Sequence, residues 1–184
     1  FAINRIAHSF LFTGIRGVGK TTAARIISAC LNCVGETGKG GPTINPCGLC
    51  NSCLSIANGN HVDVLEIDAA SKTGVGDIRE IIDSVKYKPA SARYKVFIID
   101  EVHMLSTNAF NALLKTLEEP PAHTKFIFAT TEIHKIPVTV VSRCQRYDLR
   151  RVSPKTLIEY LREILQKEEK HFEDEALSLV ARAS

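Results

Sequence analysis

The sequence has no apolar run close to the roughly 18 to 20 residues that a membrane-spanning helix needs. Its first ten residues, FAINRIAHSF, lack the basic segment and following apolar segment of a secretory signal. It also lacks internal repeats and low-complexity stretches. These absences argue against membrane, secreted and repeat proteins, and hydrophobic residues, at 45% of the chain, suffice for a buried core. We therefore predict a soluble, cytoplasmic protein with no membrane partner.

A strong excess of either charge is also missing. The 23 Lys and Arg residues against 20 Asp and Glu give a net charge of +3, which neither requires nor excludes a nucleic acid partner. A basic stripe would indicate such a partner, and the nearest candidate is four arginines: Arg143, Arg146, Arg150 and Arg151. From charge alone, a solvated basic face is the simpler interpretation of this group.

Short apolar runs alternate with helical patterns over the first 150 residues. This order favours an α/β fold, in which helices cover both faces of a parallel sheet. We predict strands at 9–12, 62–67, 95–100, 125–130 and, at the sheet edge, 146–149. We predict helices at 20–31, 77–85 and 107–117, and a short turn or helix after Pro137. The periodicity of the first helix predicts a buried stripe of Ala23, Ile26, Ile27 and Cys30.

The strand patterns cease beyond Val152. Ser153 can cap a helix whose first residue is Pro154, and two helices are predicted at 156–168 and 173–183. We place a domain boundary near 150, so that residues 1–150 form the α/β core and residues 151–184 begin a helical domain. Because the sequence has no initiator methionine and stops within a helical pattern, we expect further sequence on both sides.

Residues 14–21, GIRGVGKT, match the phosphate-binding pattern G-x-x-x-x-G-K-[ST] between a predicted strand and a predicted helix. The glycines let the backbone curl so that its N–H groups face a phosphate at the positive end of the helix dipole. Lys20 is predicted to reach the β- and γ-phosphates of ATP, and Thr21 to place its hydroxyl on Mg²⁺. All eight residues are candidates for nucleotide contact: Gly14, Ile15, Arg16, Gly17, Val18, Gly19, Lys20 and Thr21.

Residues 95–101, KVFIIDE, carry an acidic pair to the carboxyl end of a buried strand. Ligands bind at this edge in open α/β sheets. Asp100 suits the Mg²⁺ shell, and Glu101 suits activation of the water that attacks ATP. The pair is weak evidence alone, but together with the glycine-rich loop it predicts a site of nucleotide hydrolysis.

Five of the six cysteines fall within residues 30–53. In a chain with no secretion signal, such clustering favours a metal over disulfides. Cys47-x2-Cys50-x2-Cys53 supplies three thiols for a closed, structural Zn²⁺ site. As the fourth ligand we choose Cys33, just past the predicted helix, over Cys30, which lies on its apolar stripe. Residues 33–53 are thus predicted to be a zinc-binding insertion, with a redox pair or free structural thiols as the alternatives.

Several segments occur in a combination more specific than any one of them: GIRGVGKTTAARI, the cysteine cluster, EIDAAS, IIDEVHMLS, FNALLKTLEEPP, FIFATT and VVSRC. Together they closely resemble the tau/gamma subunit family of bacterial DNA polymerase III, the ATPase motors of clamp loaders, over nearly the whole chain. The resemblance implies an AAA+ fold, with a five-stranded parallel sheet followed by a three-helix lid. It also implies the partners: other clamp-loader subunits, the sliding clamp and primed DNA.

The resemblance implies roles for individual residues. Ser142-Arg143-Cys144 is similar to the family's SRC motif, whose arginine acts on the ATP of a neighbouring subunit. Thr131 matches the position known as sensor 1, with Thr130 as the alternate, because a shift of one residue reverses which side chain faces the nucleotide. The family's adenine-contacting segment and sensor-2 arginine lie outside these 184 residues.

Two other functions remain open. The first is a non-catalytic scaffold subunit of the same assembly, although such subunits lose the lysine or the acid that Lys20 and Asp100 supply here. The second is a DExH-type helicase, because residues 100–103 spell DEVH. A helicase needs a second RecA-like domain, for which the chain has no room. We therefore interpret His103 as a histidine behind the site or on the surface.

Overall fold

Five parallel strands form a single sheet in this computed structural model, which describes residues 6–71 and 74–183. The strands are β1 (Ser9–Thr13), β2 (Val64–Asp68), β3 (Lys95–Asp100), β4 (Thr124–Thr130) and β5 (Gln145–Asp148). They lie side by side in the order β2-β3-β4-β1-β5. The predicted parallel sheet is confirmed, and each predicted strand is present with its ends moved by at most two residues.

The helices that cover this sheet are α1 (Lys20–Asn32), α2 (Asn51–Ala57), α3 (Val75–Val85), α4 (Thr107–Glu118) and α5 (Val138–Val141). Short 3-10 turns follow β3 at Val102–Met104 and β4 at Ile133–Lys135. The chain divides between Leu149 and Arg150 into two compact units. The second unit contains α6 (Pro154–Lys167) and α7 (Asp174–Ala183).

The central strands β3 and β4 are buried on both faces, which explains their continuous apolar sequence. Side chains alternate between the faces. Phe97 and Phe126 stack on one face, with centroids 5.4 Å apart, and pack with residues of α3 and α4. Ile98 and Ile127 lie on the other face, in a cluster with residues of α1 and α2.

Strand order decides where the site forms. Because β4 lies between β1 and β3, the glycine-rich loop after β1 and the acidic pair after β3 flank the end of β4. Thr13 at the end of β1 pairs with Thr130 at the end of β4, and Asp100 pairs with Asp68 at the end of β2. Four carboxyl ends of parallel strands therefore meet at one edge of the sheet.

The buried face of α1 agrees with the predicted stripe only in part, since Cys30 is buried and Ile27 packs against the core. Ile26 is 54% exposed, whereas Ala24, Ser28 and Leu31 are fully buried. A serine tolerates this position because its hydroxyl donates to the Ala24 carbonyl at 2.8 Å. Apolar periodicity alone was misleading here, since a polar residue with an internal hydrogen bond occupies the core face and an isoleucine does not.

A buried carboxylate orders the connection between α3 and β3. Asp63, 3% exposed, accepts backbone N–H bonds from Ala90, Ser91 and Ala92 at 2.7, 2.7 and 2.8 Å. Burial raises the pKa of Asp63, but these N–H groups stabilise the ionised form more and bring the pKa below its usual value. Further along the same connection, Arg93 donates to the Leu31 carbonyl at the end of α1.

The second unit is a pair of helices. Ser153 caps α6 by accepting a bond from the Thr156 N–H, and Pro154 occupies its first turn, as predicted. Arg162 on α6 forms an ion pair with Asp174 on α7 at 2.7 Å. Among the described residues, no helix is both long and apolar enough to cross a membrane.

Candidate functional site

The glycine-rich loop adopts a backbone that disfavours a side chain at Gly14, Gly17 and Gly19. Gly14 has a φ of 149°, and a Cβ there would lie 2.6 Å from the Leu149 carbonyl oxygen. Gly19 has a φ of 94° and immediately precedes α1. The loop therefore turns sharply from β1 into α1, and places the amino end of α1 at the sheet edge.

Lys20 is a buried cation held by the loop. Its side chain donates to the carbonyls of Gly14 and Ile15, both at 3.0 Å, and the residue is 6% exposed. Within residues 6–71 and 74–183 it forms no ion pair with a carboxylate. A buried ammonium group without an anionic partner is costly, so this environment fits a phosphate ligand.

The loop and the acidic pair meet through one side-chain contact. Thr21 Oγ1 donates to Asp100 Oδ2 at 2.6 Å, and Asp100 Oδ1 accepts from the Glu101 N–H at 2.8 Å. A hydroxyl beside a carboxylate is a set of oxygen donors that suits Mg²⁺. The residues present therefore fit the predicted cation as well as the predicted phosphate.

Glu101 has a left-handed backbone, with φ 44° and ψ 45°, which is unusual for a residue with a side chain. Its Oε2 accepts from the Thr131 N–H at 3.2 Å and from Thr131 Oγ1 at 3.0 Å. Thr131 is exposed at the end of β4, whereas Thr130 is fully buried. Of the two threonines considered for the sensor-1 position, Thr131 is thus the one beside Glu101.

These groups line one cleft of about 950 Å³, large enough for a nucleotide. Most of the predicted nucleotide contacts lie on its wall; Val18 and Gly14, although in the loop, do not. The wall also contains Asp68, Ala70 and His103, which the sequence had not marked as site residues. Asp68 could have been found, because it ends the strand next to β3 and so reaches the same edge.

The four cysteines predicted to bind zinc lie together. The sulfur atoms of Cys33, Cys47, Cys50 and Cys53 are all within 4.8 Å of one another. Cys30 is not in this group; its sulfur lies 3.9 Å from the Ile44 carbonyl, and burial raises the pKa of its thiol. Four thiols at this separation can close around one Zn²⁺ ion.

Backbone N–H groups favour thiolate in this cluster. The N–H of Cys47 lies 3.4 Å from the Cys33 sulfur and is the main cause of that thiol's lowered pKa. Burial raises the pKa of Cys50, but the N–H groups of Val34 and Cys53 and the neighbouring thiols outweigh it and lower the pKa to about 6. Burial raises the pKa of Cys53 to about 12, and the adjacent Cys50 adds to this. A divalent cation bound by the four sulfurs would offset the electrostatic repulsion between neighbouring thiolates.

A family model described as "DNA polymerase III, delta subunit" matches residues 1–153. The chain belongs to this family of DNA polymerase III subunits. Its relatives include the tau/gamma subunit of Haemophilus influenzae, 51% identical over 98% of this chain and 26% of that protein. The tau subunits of Escherichia coli and Bacillus subtilis are 51% and 49% identical, over 100% and 98% of this chain and 28% and 31% of those proteins. The predicted resemblance is confirmed, although the chain spans only about a quarter to a third of the length of these relatives.

Solved structures agree on the fold. A DNA polymerase III gamma subunit-related protein from Thermotoga maritima superposes with a TM-score of 0.52 at 24% identity, over 97% of this chain and 54% of that one. The RuvB Holliday junction branch migration motor of the same organism gives 0.62 at 18% identity, over 96% and 48%. The AAA+ fold predicted for this DNA polymerase III family member is therefore confirmed, while identities this low say nothing of function.

Arg143 of this family member lies away from the cleft wall. It sits in the turn after α5, where Nη1 donates to the Thr139 carbonyl at 2.6 Å and Nη2 to Glu118 at the end of α4. Its side chain remains 32% exposed. Arg143 is not among the described residues that line the cleft, so the structure does not bring it together with Lys20 and Glu101.

Proposed function

We propose that this chain is the ATP-hydrolysing region of a clamp-loader motor subunit, which couples ATP binding and hydrolysis to loading of a sliding clamp on primed DNA. The observation that carries the proposal is the meeting of Thr21, Asp100 and Glu101 at the mouth of one cleft. The names of the tau and gamma relatives support a place in the replication assembly, since those proteins are subunits of DNA polymerase III. Other subunits of that assembly, the clamp and the DNA are the partners proposed here.

In this function each residue has a distinct task. Lys20 binds the β- and γ-phosphates, and the N–H groups at the start of α1 add to the same attraction. Thr21 and Asp100 hold the cation. Glu101 orients a water molecule and accepts its proton. When bound, ATP supplies the phosphoanhydride bond that is cleaved, and Mg²⁺ supplies positive charge that the transferring phosphoryl group needs.

Two alternatives make different demands on the same residues. A scaffold subunit would fill the cleft without turnover, and a DExH-type helicase would separate DNA strands. The presence of both Lys20 and Glu101 in one cleft favours a hydrolysing subunit over a scaffold. Within the DEVH sequence, Asp100 and Glu101 line the cleft, and His103 contacts Thr130 at the end of β4 of the same sheet.

The test uses the full-length subunit in its reconstituted DNA polymerase III assembly. Wild-type protein should hydrolyse ATP and load the clamp on primed DNA, and Glu101→Gln should bind ATP but stop turnover. Loading without hydrolysis at this subunit's site in the wild type would favour the scaffold. Unwinding of a forked duplex by the wild-type subunit, lost in Glu101→Gln, would favour the helicase.

We also propose that Cys33, Cys47, Cys50 and Cys53 bind one structural Zn²⁺ ion. With four thiolates the coordination is complete, so no position is left for a substrate or water. Cys33 directly follows α1, whose first residue is Lys20. The cluster therefore fixes the far end of the helix that carries the phosphate-binding lysine.

A further inference from the structure

His103 is a buried ionisable residue to which the proposed chemistry assigns no task. It lines the cleft, yet its side chain is only 6% exposed. It lies in the 3-10 turn Val102–Met104, which begins at the left-handed backbone of Glu101. The same short turn thus carries both the proposed base and this imidazole.

The imidazole joins the turn to the end of β4. Nδ1 lies 3.0 Å from Thr130 Oγ1 and 3.3 Å from Glu101 Oε2. On the other side of the ring, Nε2 lies 3.4 Å from Glu132 Oε1. Thr130 is itself fixed, because it is fully buried and its Oγ1 accepts from the Glu132 N–H at 3.0 Å.

Two different groups therefore approach the same oxygen of Glu101: Thr131 donates hydrogen bonds to it, and His103 Nδ1 lies 3.3 Å from it. Thr131, which donates from its N–H and Oγ1, is exposed in the cleft, where a nucleotide and an attacking water would compete for it. His103 approaches from the buried side and is anchored on Thr130. The contact with His103 is thus independent of the exposed threonine and can restrain the Glu101 carboxylate by itself.

We propose that His103 is a positioning residue, which holds the Glu101 carboxylate against the end of β4 in the orientation needed to accept a proton from water. The proposal rests on the ATPase function proposed above and adds a residue to it. Nδ1 performs the task, because it is the ring atom that faces both Thr130 and Glu101, and in the tautomer with its proton on Nδ1 it donates to the Glu101 carboxylate. Nε2 faces Glu132, which is 36% exposed, on the solvent side of the ring.

Three substitutions distinguish the role of Nδ1 from that of Nε2. Each is measured in the full-length subunit within its reconstituted assembly. His103→Ala should lower kcat for ATP about 10- to 100-fold, the scale of a misplaced catalytic group, while the Kd for ATP stays within about threefold. His103→Asn puts an amide nitrogen near the place of Nδ1 and should restore kcat to within about fivefold of wild type. His103→Gln replaces Nε2 instead and should remain as slow as His103→Ala.

The control is His134→Asn. His134 also faces Glu132, at 3.5 Å, but its side chain is 74% exposed and it contacts neither threonine in the described structure. The kcat and the Kd for ATP of the His134→Asn variant should match those of wild type. If it slows turnover as His103→Ala does, the effect arises through Glu132 and the proposed task of Nδ1 is wrong.

Other outcomes overturn the inference without ambiguity. Wild-type kcat in His103→Ala, equal kcat in the Asn and Gln variants, or a Kd that rises in step with the fall in kcat would each contradict a positioning role. Glu101→Gln, measured alongside, separates the two proposals. If the wild-type subunit does not hydrolyse ATP at its own site, the ATPase function is wrong. If Glu101→Gln hydrolyses ATP normally, Glu101 is not the base and His103 has no base to position; if Glu101→Gln stops while His103→Ala is normal, only the role of His103 is wrong.

Discussion

The hydroxyl of Thr21 donates a 2.6 Å hydrogen bond to Asp100 Oδ2, which joins the first turn of α1 to the end of β3. The two residues are separated by 79 positions in the sequence. Strand β4 lies between β1 and β3 in the sheet, so the contact is made across the end of an intervening strand. The glycine-rich loop and the acidic pair are therefore parts of one site at one edge of the sheet.

Removal of the Lys20 ammonium should abolish ATP binding. Lys20→Ala deletes the buried cation that the Gly14 and Ile15 carbonyls hold at the loop, and with it the charge that attracts the β- and γ-phosphates. We expect at least about a hundredfold increase in the Kd for ATP, measured by equilibrium titration of the full-length subunit. Lys88→Ala, at an exposed lysine outside the cleft wall, is the control and should bind normally.

The cysteine cluster should contain one zinc ion per chain. Metal-replete protein should show one equivalent of zinc by elemental analysis and Zn–S distances of about 2.3 Å by X-ray absorption. Cys33→Ser should lose most of the metal, because serine at this position removes one of the four clustered sulfurs. Chelation should lower the thermal midpoint of wild-type protein, since metal binding stabilises the folded state.

Cys30→Ser is the matched control for this experiment. Cys30 lies on α1 near Cys33 but outside the sulfur cluster, with its sulfur against the Ile44 carbonyl. It should keep a full equivalent of zinc. Release of the metal by Cys30→Ser, with retention by Cys33→Ser, would reverse the choice of fourth ligand.

Much of this architecture was accessible from sequence because its signals are local. The buried strands β3 and β4 are continuous apolar runs, and the loop at residues 14–21 is a motif with a fixed spacing. The remainder depends on contacts between distant segments. No pattern marks Asp63 as the acceptor for the backbone of residues 90–92, or His103 as a neighbour of Thr130. Such residues were missed because their partners are set by strand order.

Asp63 should stabilise the fold in a pH-dependent way. Its pKa is lower in the folded than in the unfolded chain, so its stabilisation is complete above the unfolded value and is lost as pH falls through the folded value. Asp63→Asn should lower the free energy of unfolding by about 2–3 kcal/mol at pH 7. The difference from wild type should shrink as pH falls below about 4.

Urea unfolding at several pH values measures this effect, and Asp83→Asn is its control. Asp83 is an exposed carboxylate whose ion pair with Lys86 lies at the surface, and such pairs contribute about 0–1 kcal/mol. Its substitution should change stability little at either end of the range. A loss in Asp63→Asn that stays constant from pH 7 to pH 3 would show that packing, rather than the ionised carboxylate, is responsible.

Arg143 should act on the ATP of a neighbouring subunit. Its guanidinium is held by Glu118 and the Thr139 carbonyl at a turn that is not on the wall of its own cleft. A fixed guanidinium stabilises charge on a transferring phosphoryl group, and such fingers contribute about 10³- to 10⁵-fold in well-studied NTPases. Arg143→Ala should therefore leave the subunit's own affinity for ATP nearly unchanged, while it slows hydrolysis by the assembly and impairs clamp loading.

Mixed assemblies decide between action on the neighbour and action on its own site. An Arg143→Ala subunit is placed so that its turn faces the nucleotide of a wild-type neighbour, and turnover is measured at each site separately. We expect the neighbour's site to slow and the variant's own site to hydrolyse ATP whenever it receives an intact arginine. Arg146→Ala is the control, since Arg146 is also partly exposed but pairs with Asp148 on its own strand. If the neighbour's site is normal while the variant's own site fails, Arg143 acts within its own subunit, because only its own cleft then depends on it.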